Sequence, residues 1–85
     1  MMVLATFNNR TQALQFSNQL KGMGVNVKII NTPREISMSC GLSIMFDFNM
    51  LPKARVVINS NKFVSFKGFY LKKDNGRMFY YEKTN

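Results

Sequence analysis

The spacing of apolar side chains changes period along this chain, and that alternation restricts the fold more than any other feature. Residues 3–7, Val-Leu-Ala-Thr-Phe, form a short β-favouring run. It gives way to Asn8-Asn9-Arg10-Thr11-Gln12, where Asn9 is placed to cap a helix and Gln12, three positions on, to complete a capping box. Ala13, Phe16, Leu20 and Met23 then recur at three- and four-residue intervals, a single apolar stripe that predicts a helix closed by Gly24. Val25, Val27 and Ile29 alternate with Asn26 and Lys28 as a second strand, Pro33 ends it, and residues 32–41 read as a loop. Alternation resumes over residues 42–46 as a third strand. Asn49 or Asp47 is suited to cap a second helix with Pro52 in its first turn and its body over residues 53–61; Val56, Val57 and Ile58 are mediocre helix formers and leave strand as the competing reading there. Residues 63–73 and 77–83 flank Asp74-Asn75-Gly76, a strong hairpin signal. The order β-α-β-β-α-β predicts an α+β, ferredoxin-like antiparallel sheet with both helices on one face, extended by a C-terminal β-hairpin strand.

Eighty-five residues make one domain, 1–85, since chains divide into separate cores only at several times this length. With no histidine, the chain supplies neither a Ser-His or Cys-His pair nor a His-containing metal site. Its four acids, Glu35, Asp47, Asp74 and Glu82, stand singly, which argues against general acid/base pairs and carboxylate metal centres. No cofactor or metal is expected, and a carrier or binding protein is favoured over an enzyme. One thiol, Cys40, forbids an internal disulfide and points to a reducing, cytoplasmic setting. The opening Met1-Met2-Val3-Leu4 lacks a basic n-region, and no apolar run approaches the length of a membrane span, so neither export nor membrane association is expected.

The thiol sits in Pro33-Arg34-Glu35-Ile36-Ser37-Met38-Ser39-Cys40-Gly41-Leu42. This stretch resembles the motif of the small bacterial selenium/sulfur carrier-like domain family, and the likeness extends over about residues 3–63 in the family's order of elements. The sequence departs from the pattern at Met38, where a small residue is usual, and at Met45, where a basic one is; the tail beyond Phe63 exceeds the compact family domain. The resemblance implies a carrier that accepts sulfur or selenium as a persulfide or selenide on Cys40 and surrenders it to a donor/acceptor protein partner. Chemically the loop suits that task, because a single accessible thiolate can accept and release a sulfur atom by nucleophilic exchange. Arg34 would stabilise the thiolate by charge, Ser37 and Ser39 would add hydroxyl donors, and Gly41 would let backbone N–H groups approach the sulfur. The competing reading makes Cys40 a small buried hydrophobe at the start of a strand and Arg34-Glu35 a solvated pair.

Charge gathers towards the C-terminus. Of the net +8, residues 1–52 carry four basic and two acidic side chains, whereas residues 53–85 carry eight and two. A two-residue Asn75-Gly76 loop would place Lys73 opposite Met78, Lys72 opposite Phe79, Leu71 opposite Tyr80, Tyr70 opposite Tyr81 and Phe69 opposite Glu82. Phe69, Leu71, Met78 and Tyr80 would then face the helices, leaving Tyr70, Lys72, Phe79 and Tyr81 on the other side. Rings interleaved with cations suit single-stranded nucleic acid, which gives an alternative function: a small RNA- or single-stranded-DNA-binding module using Lys67, Tyr70, Lys72, Lys73, Arg77, Phe79 and Tyr81, with an acidic protein as another partner for the same charge. Lys67-Gly68-Phe69 begins like an RNP1 signature, but Tyr70, Leu71 and Asp74 break it. A third reading is a structural subunit whose aromatic face forms a homodimer.

Overall fold

The computed structural model describes residues 1–37 and 41–84. Five of the six residues of β1 (Met2–Phe7) are buried, so this strand needs neighbours on both edges and cover on both faces. It pairs antiparallel with β3 (Leu42–Asp47) and with β4 (Phe66–Asp74). The short β2 (Lys28–Asn31) lies outside β3, and β5 (Phe79–Thr84) lies outside β4. The order β2-β3-β1-β4-β5 makes a five-stranded antiparallel sheet in an α+β fold.

Helix α1 (Arg10–Gly22) starts as the capping residue directs: the Asn9 side chain accepts the Gln12 N–H at 2.9 Å. Gln12 does not close the capping box. Its Oε1 instead accepts from both the Ser65 N–H (2.9 Å) and the Ser65 hydroxyl (2.5 Å), tying the helix start to the segment before β4. Val25, expected in the second strand, donates its N–H to the Leu20 carbonyl and is buried, so it belongs to the helix's closing turn and β2 begins three residues later.

Helix α2 (Leu51–Ser60) follows a 3-10 turn at Phe48–Met50, and the Asp47 carboxylate accepts the Asn49 N–H at 2.8 Å, making Asp47 the cap of that turn. Leu51, Ala54 and Val57 recur at three-residue spacing and are buried, and that burial overrides the weak propensity of Val56-Val57-Ile58. Asn61 ends the helix by donating from Nδ2 to the Val57 carbonyl at 2.8 Å.

One face of the sheet carries Val3, Ala5 and Phe7 from β1, Leu42, Ile44 and Phe46 from β3, and Phe69 from β4, all packed with Ala13, Phe16 and Leu20 of α1 and Leu51, Ala54 and Val57 of α2. Phe7 lies at its centre, with ring centroids 5.2 Å from Phe16, 5.8 Å from Phe63 and 5.4 Å from Phe66.

The hairpin forms, but with a longer loop than the two-residue turn. Asp74 pairs with Phe79, Lys73 with Tyr80, Lys72 with Tyr81, Leu71 with Glu82, Tyr70 with Lys83 and Phe69 with Thr84. The side chains of Asp74 and Asn75 close this loop: Asp74 Oδ1 accepts the Gly76 N–H (2.7 Å), and Asn75 Oδ1 accepts those of Arg77 (3.0 Å) and Met78 (3.1 Å). Each residue of β4 therefore meets a partner two positions further along β5. A displacement of two preserves the parity of a strand, so Phe69 and Leu71 still face the helices while Tyr70, Lys72, Phe79 and Tyr81 share the opposite face. Met78 lies in the exposed loop, and Tyr80 is also exposed.

Candidate functional site: a cavity at the cysteine loop

The segment leaving β2 doubles back at once. Pro33 accepts at its carbonyl the N–H groups of Ile36 (3.0 Å) and Ser37 (3.1 Å), a single tight turn set up by the φ that proline imposes. The ends of the loop are clamped: the Thr32 N–H donates to the Gly41 carbonyl at 3.0 Å, and the Thr32 and Ser43 hydroxyls are hydrogen-bonded at 2.8 Å. Gly41 is required there for room. A Cβ on it would lie 2.6 Å from the Phe7 carbonyl oxygen and 3.3 Å from Thr32 Oγ1. Met38, Ser39 and Cys40 lie outside the described residues.

Ser37 and Gly41 line a cavity of about 400 Å³ together with Thr6, Phe7, Asn8, Thr32, Ile36, Lys67, Tyr70 and Lys83. Two sets of residues that looked unrelated in the sequence thus meet: the supports of the thiol loop and part of the basic aromatic tail. Lys67 reaches the site because it is the extra residue of a bulge, Thr6 pairing with Gly68 and Phe7 with Phe66. Lys83 reaches it by lying across Gly68, where a Cβ would come within 2.8 Å of the lysine Cε; Gly68 holds φ +134°, a conformation that favours glycine. Thr6 donates its hydroxyl to the Gly68 carbonyl at 3.3 Å.

Arg34 is exposed in the Pro33 turn and does not line the cavity. Thr32, Ile36 and Lys83 were absent from the sequence-based site; the Asn-Gly signal showed that β5 would return beside β4, but nothing local marked Gly68 as the channel for Lys83.

The remaining tail residues separate. Lys72 places its ammonium 4.3 Å from the centroid of Phe79 on the face opposite the helices. Lys73 points the other way and pairs with Glu82 at 3.1 Å, so it does not share a surface with Tyr70 and Tyr81. Arg77 is exposed in the hairpin loop. The Tyr81 hydroxyl has its pKa raised above 10.0, first by loss of solvent and then by the negative charge of Glu35, which brings the turn at residues 33–36 into electrostatic contact with this face. Among the described residues, no helix is long and apolar enough to cross a membrane.

A small α+β sheet domain with a lysine-lined cavity at the ends of a cysteine-bearing loop is the class of protein that these features define. Residues 2–71 match the family model described as "Putative Se/S carrier protein-like", and the chain belongs to that family. The matched segment runs from β1 into β4 and stops before β5, so Lys83 comes from outside it. No curated protein matches the chain.

Proposed function

We propose that this chain is a sulfur or selenium carrier whose acceptor is the Cys40 thiolate, acting as one ferredoxin-like domain in a reducing cytoplasm. One observation carries the reading beyond family membership: Gly41, bonded to Cys40, and Ser37 line the same cavity as Lys67 and Lys83. Nearby cations favour a thiolate over a thiol and a persulfide anion over its protonated form. In the loading step the Cys40 thiolate attacks the terminal sulfur of a donor persulfide, R–S–SH. The new S–S bond forms as the old one breaks, giving Cys40–S–SH and the donor thiolate R–S⁻, with no net oxidant or reductant. Delivery repeats the exchange with an acceptor. Having one cysteine, the chain cannot discharge the load internally as a disulfide. Arg34, Ser37, Ser39 and Gly41 shape the loop in this reading.

Incubation with a low-mass persulfide donor should add the mass of one sulfur atom to the intact chain. Reductant should remove it, and Cys40→Ser should never acquire it. An unchanged mass in the folded wild-type chain under conditions that load free cysteine would refute the carrier role.

The shared face of Tyr70, Lys72, Phe79 and Tyr81 favours a second reading, binding of single-stranded nucleic acid through stacked bases. Affinity would then fall with salt, and Lys72→Ala would reduce the slope by about one. Absence of binding at low salt would dismiss this reading.

A further inference from the structure

We infer that the cavity is a binding site for a small organic oxyanion, a phosphate, sulfonate or carboxylate group on a compact body, recognised by Lys67 and Lys83. The inference goes beyond the carrier reading and does not depend on the reactivity of Cys40. Its first support is uncompensated charge. Two lysines line the cavity, and among the described residues no carboxylate does and neither lysine is ion-paired. The adjoining cleft of about 360 Å³ shares both lysines, adds Arg55 and again has no described acidic lining. Cations gathered on low-dielectric walls concentrate anions from solution.

The second support is placement. Lys67 is turned to this side by the bulge, and the stem of Lys83 lies over a glycine whose missing side chain makes room for it. Hydrogen-bond donors accompany the charge: the Tyr70 hydroxyl and the Asn8 amide have no side-chain partner among the described residues. Finally, size and lining favour more than a bare ion. About 400 Å³ falls within the roughly 300–1,000 Å³ typical of small-molecule sites, and Ile36 and the Tyr70 ring supply apolar wall for a ligand body.

The test uses full-length Cys40→Ser, so that sulfur chemistry cannot contribute, titrated at low salt with inorganic phosphate, uridine monophosphate and a short oligouridine while amide resonances are followed by NMR. The expected result is saturable shifts at Thr6, Ile36, Gly68 and Tyr70, with the mononucleotide bound more tightly than inorganic phosphate. Lys67→Gln and Lys83→Gln should each weaken binding about tenfold, as for loss of a charged hydrogen bond. Lys73→Gln, which removes the same charge from the opposite face, should leave binding within twofold of the parent. Equal affinity for phosphate and mononucleotide would reduce the site to a bare-anion site and overturn the organic ligand. Binding of the oligouridine alone would overturn the inference in favour of the tail surface. No saturable shift, or equal losses in all three lysine variants, would overturn it outright. None of these outcomes bears on persulfide loading of the wild-type chain, so the two readings fail separately.

Discussion

The two faces of the sheet are dry at their centres for different reasons. On the helix side, Val3, Ala5 and Phe7 are covered by α1 and α2, and six phenylalanines lock ring against ring. On the other side no helix lies among the described residues, yet Leu4 and Ser43 are 0% exposed and Thr6 is 2% exposed. Leu4 has Met45 and Tyr70 as cross-strand neighbours, and Ile36 from the loop lines the cavity beside Thr6. The first face is sealed by two pieces of regular structure. The second is sealed by long side chains and a loop, which leaves a cavity between them. A central strand must be covered on both sides, and the two described helices both lie on one. The site occupies the side where the cover is incomplete.

The difference between the two faces is tested most directly by the pair Phe7→Ala and Leu4→Ala. Phe7→Ala should cost about 3–5 kcal/mol and Leu4→Ala about 2–5 kcal/mol in denaturant melts, because both leave a cavity in close-packed surroundings. If Leu4→Ala costs no more than an exposed substitution, the uncovered face is not a second core.

A smaller effect is expected at the loop's hinge. Gly41→Ala forces a methyl group against the Phe7 carbonyl oxygen, and the backbone there cannot swing aside as a side chain can. Its cost should be about 1–3 kcal/mol, the range for overpacking. Gly22→Ala, with open space around its Cβ position, serves as the control. Equal melting of the two variants would show that the loop end is not held against β1.

The smallest effect concerns Tyr81. Its raised pKa means that the neutral phenol is favoured in the folded chain. That contribution to stability is complete below the unfolded value near 10.0 and is lost as pH rises through the higher folded value. Tyrosinate absorbance, assigned with Tyr81→Phe, should show the midpoint fall in Glu35→Gln without returning fully, since desolvation is the larger cause. An unchanged midpoint in Glu35→Gln would detach the turn from this face.

Much of the architecture was legible from periodicity, which reports burial within one element. The stripe of Ala13, Phe16 and Leu20 and the alternation of Leu42, Ile44 and Phe46 both became core. Boundaries failed where a side chain found a partner that local rules do not show. Gln12 bonds to Ser65 instead of its own helix start, and Asp74 and Asn75 enlarge the hairpin loop by capturing N–H groups. The faces survived the register error because it was even. Of the site, the loop ends were legible from Pro33 and Gly41 and Lys67 stood among the basic residues of the tail, but Lys83 was not, since nothing local shows that it lies across Gly68.

The position of β1 also has a kinetic consequence. The central strand is the earliest in the chain, and one of its two edges is completed only by β4, with Thr6 meeting Gly68 across 62 positions. Such pairing is non-local, and the chain entropy lost in closing it precedes the reward of contact, so folding should be slow for so small a protein. During synthesis, a chain that has emerged only through β3 presents Val3, Leu4 and Ala5 along an unpaired edge, a surface that invites another strand. Arrival of β4 closes that edge and, in the same event, brings Lys67 to the cavity, so the site is assembled only when the sheet is.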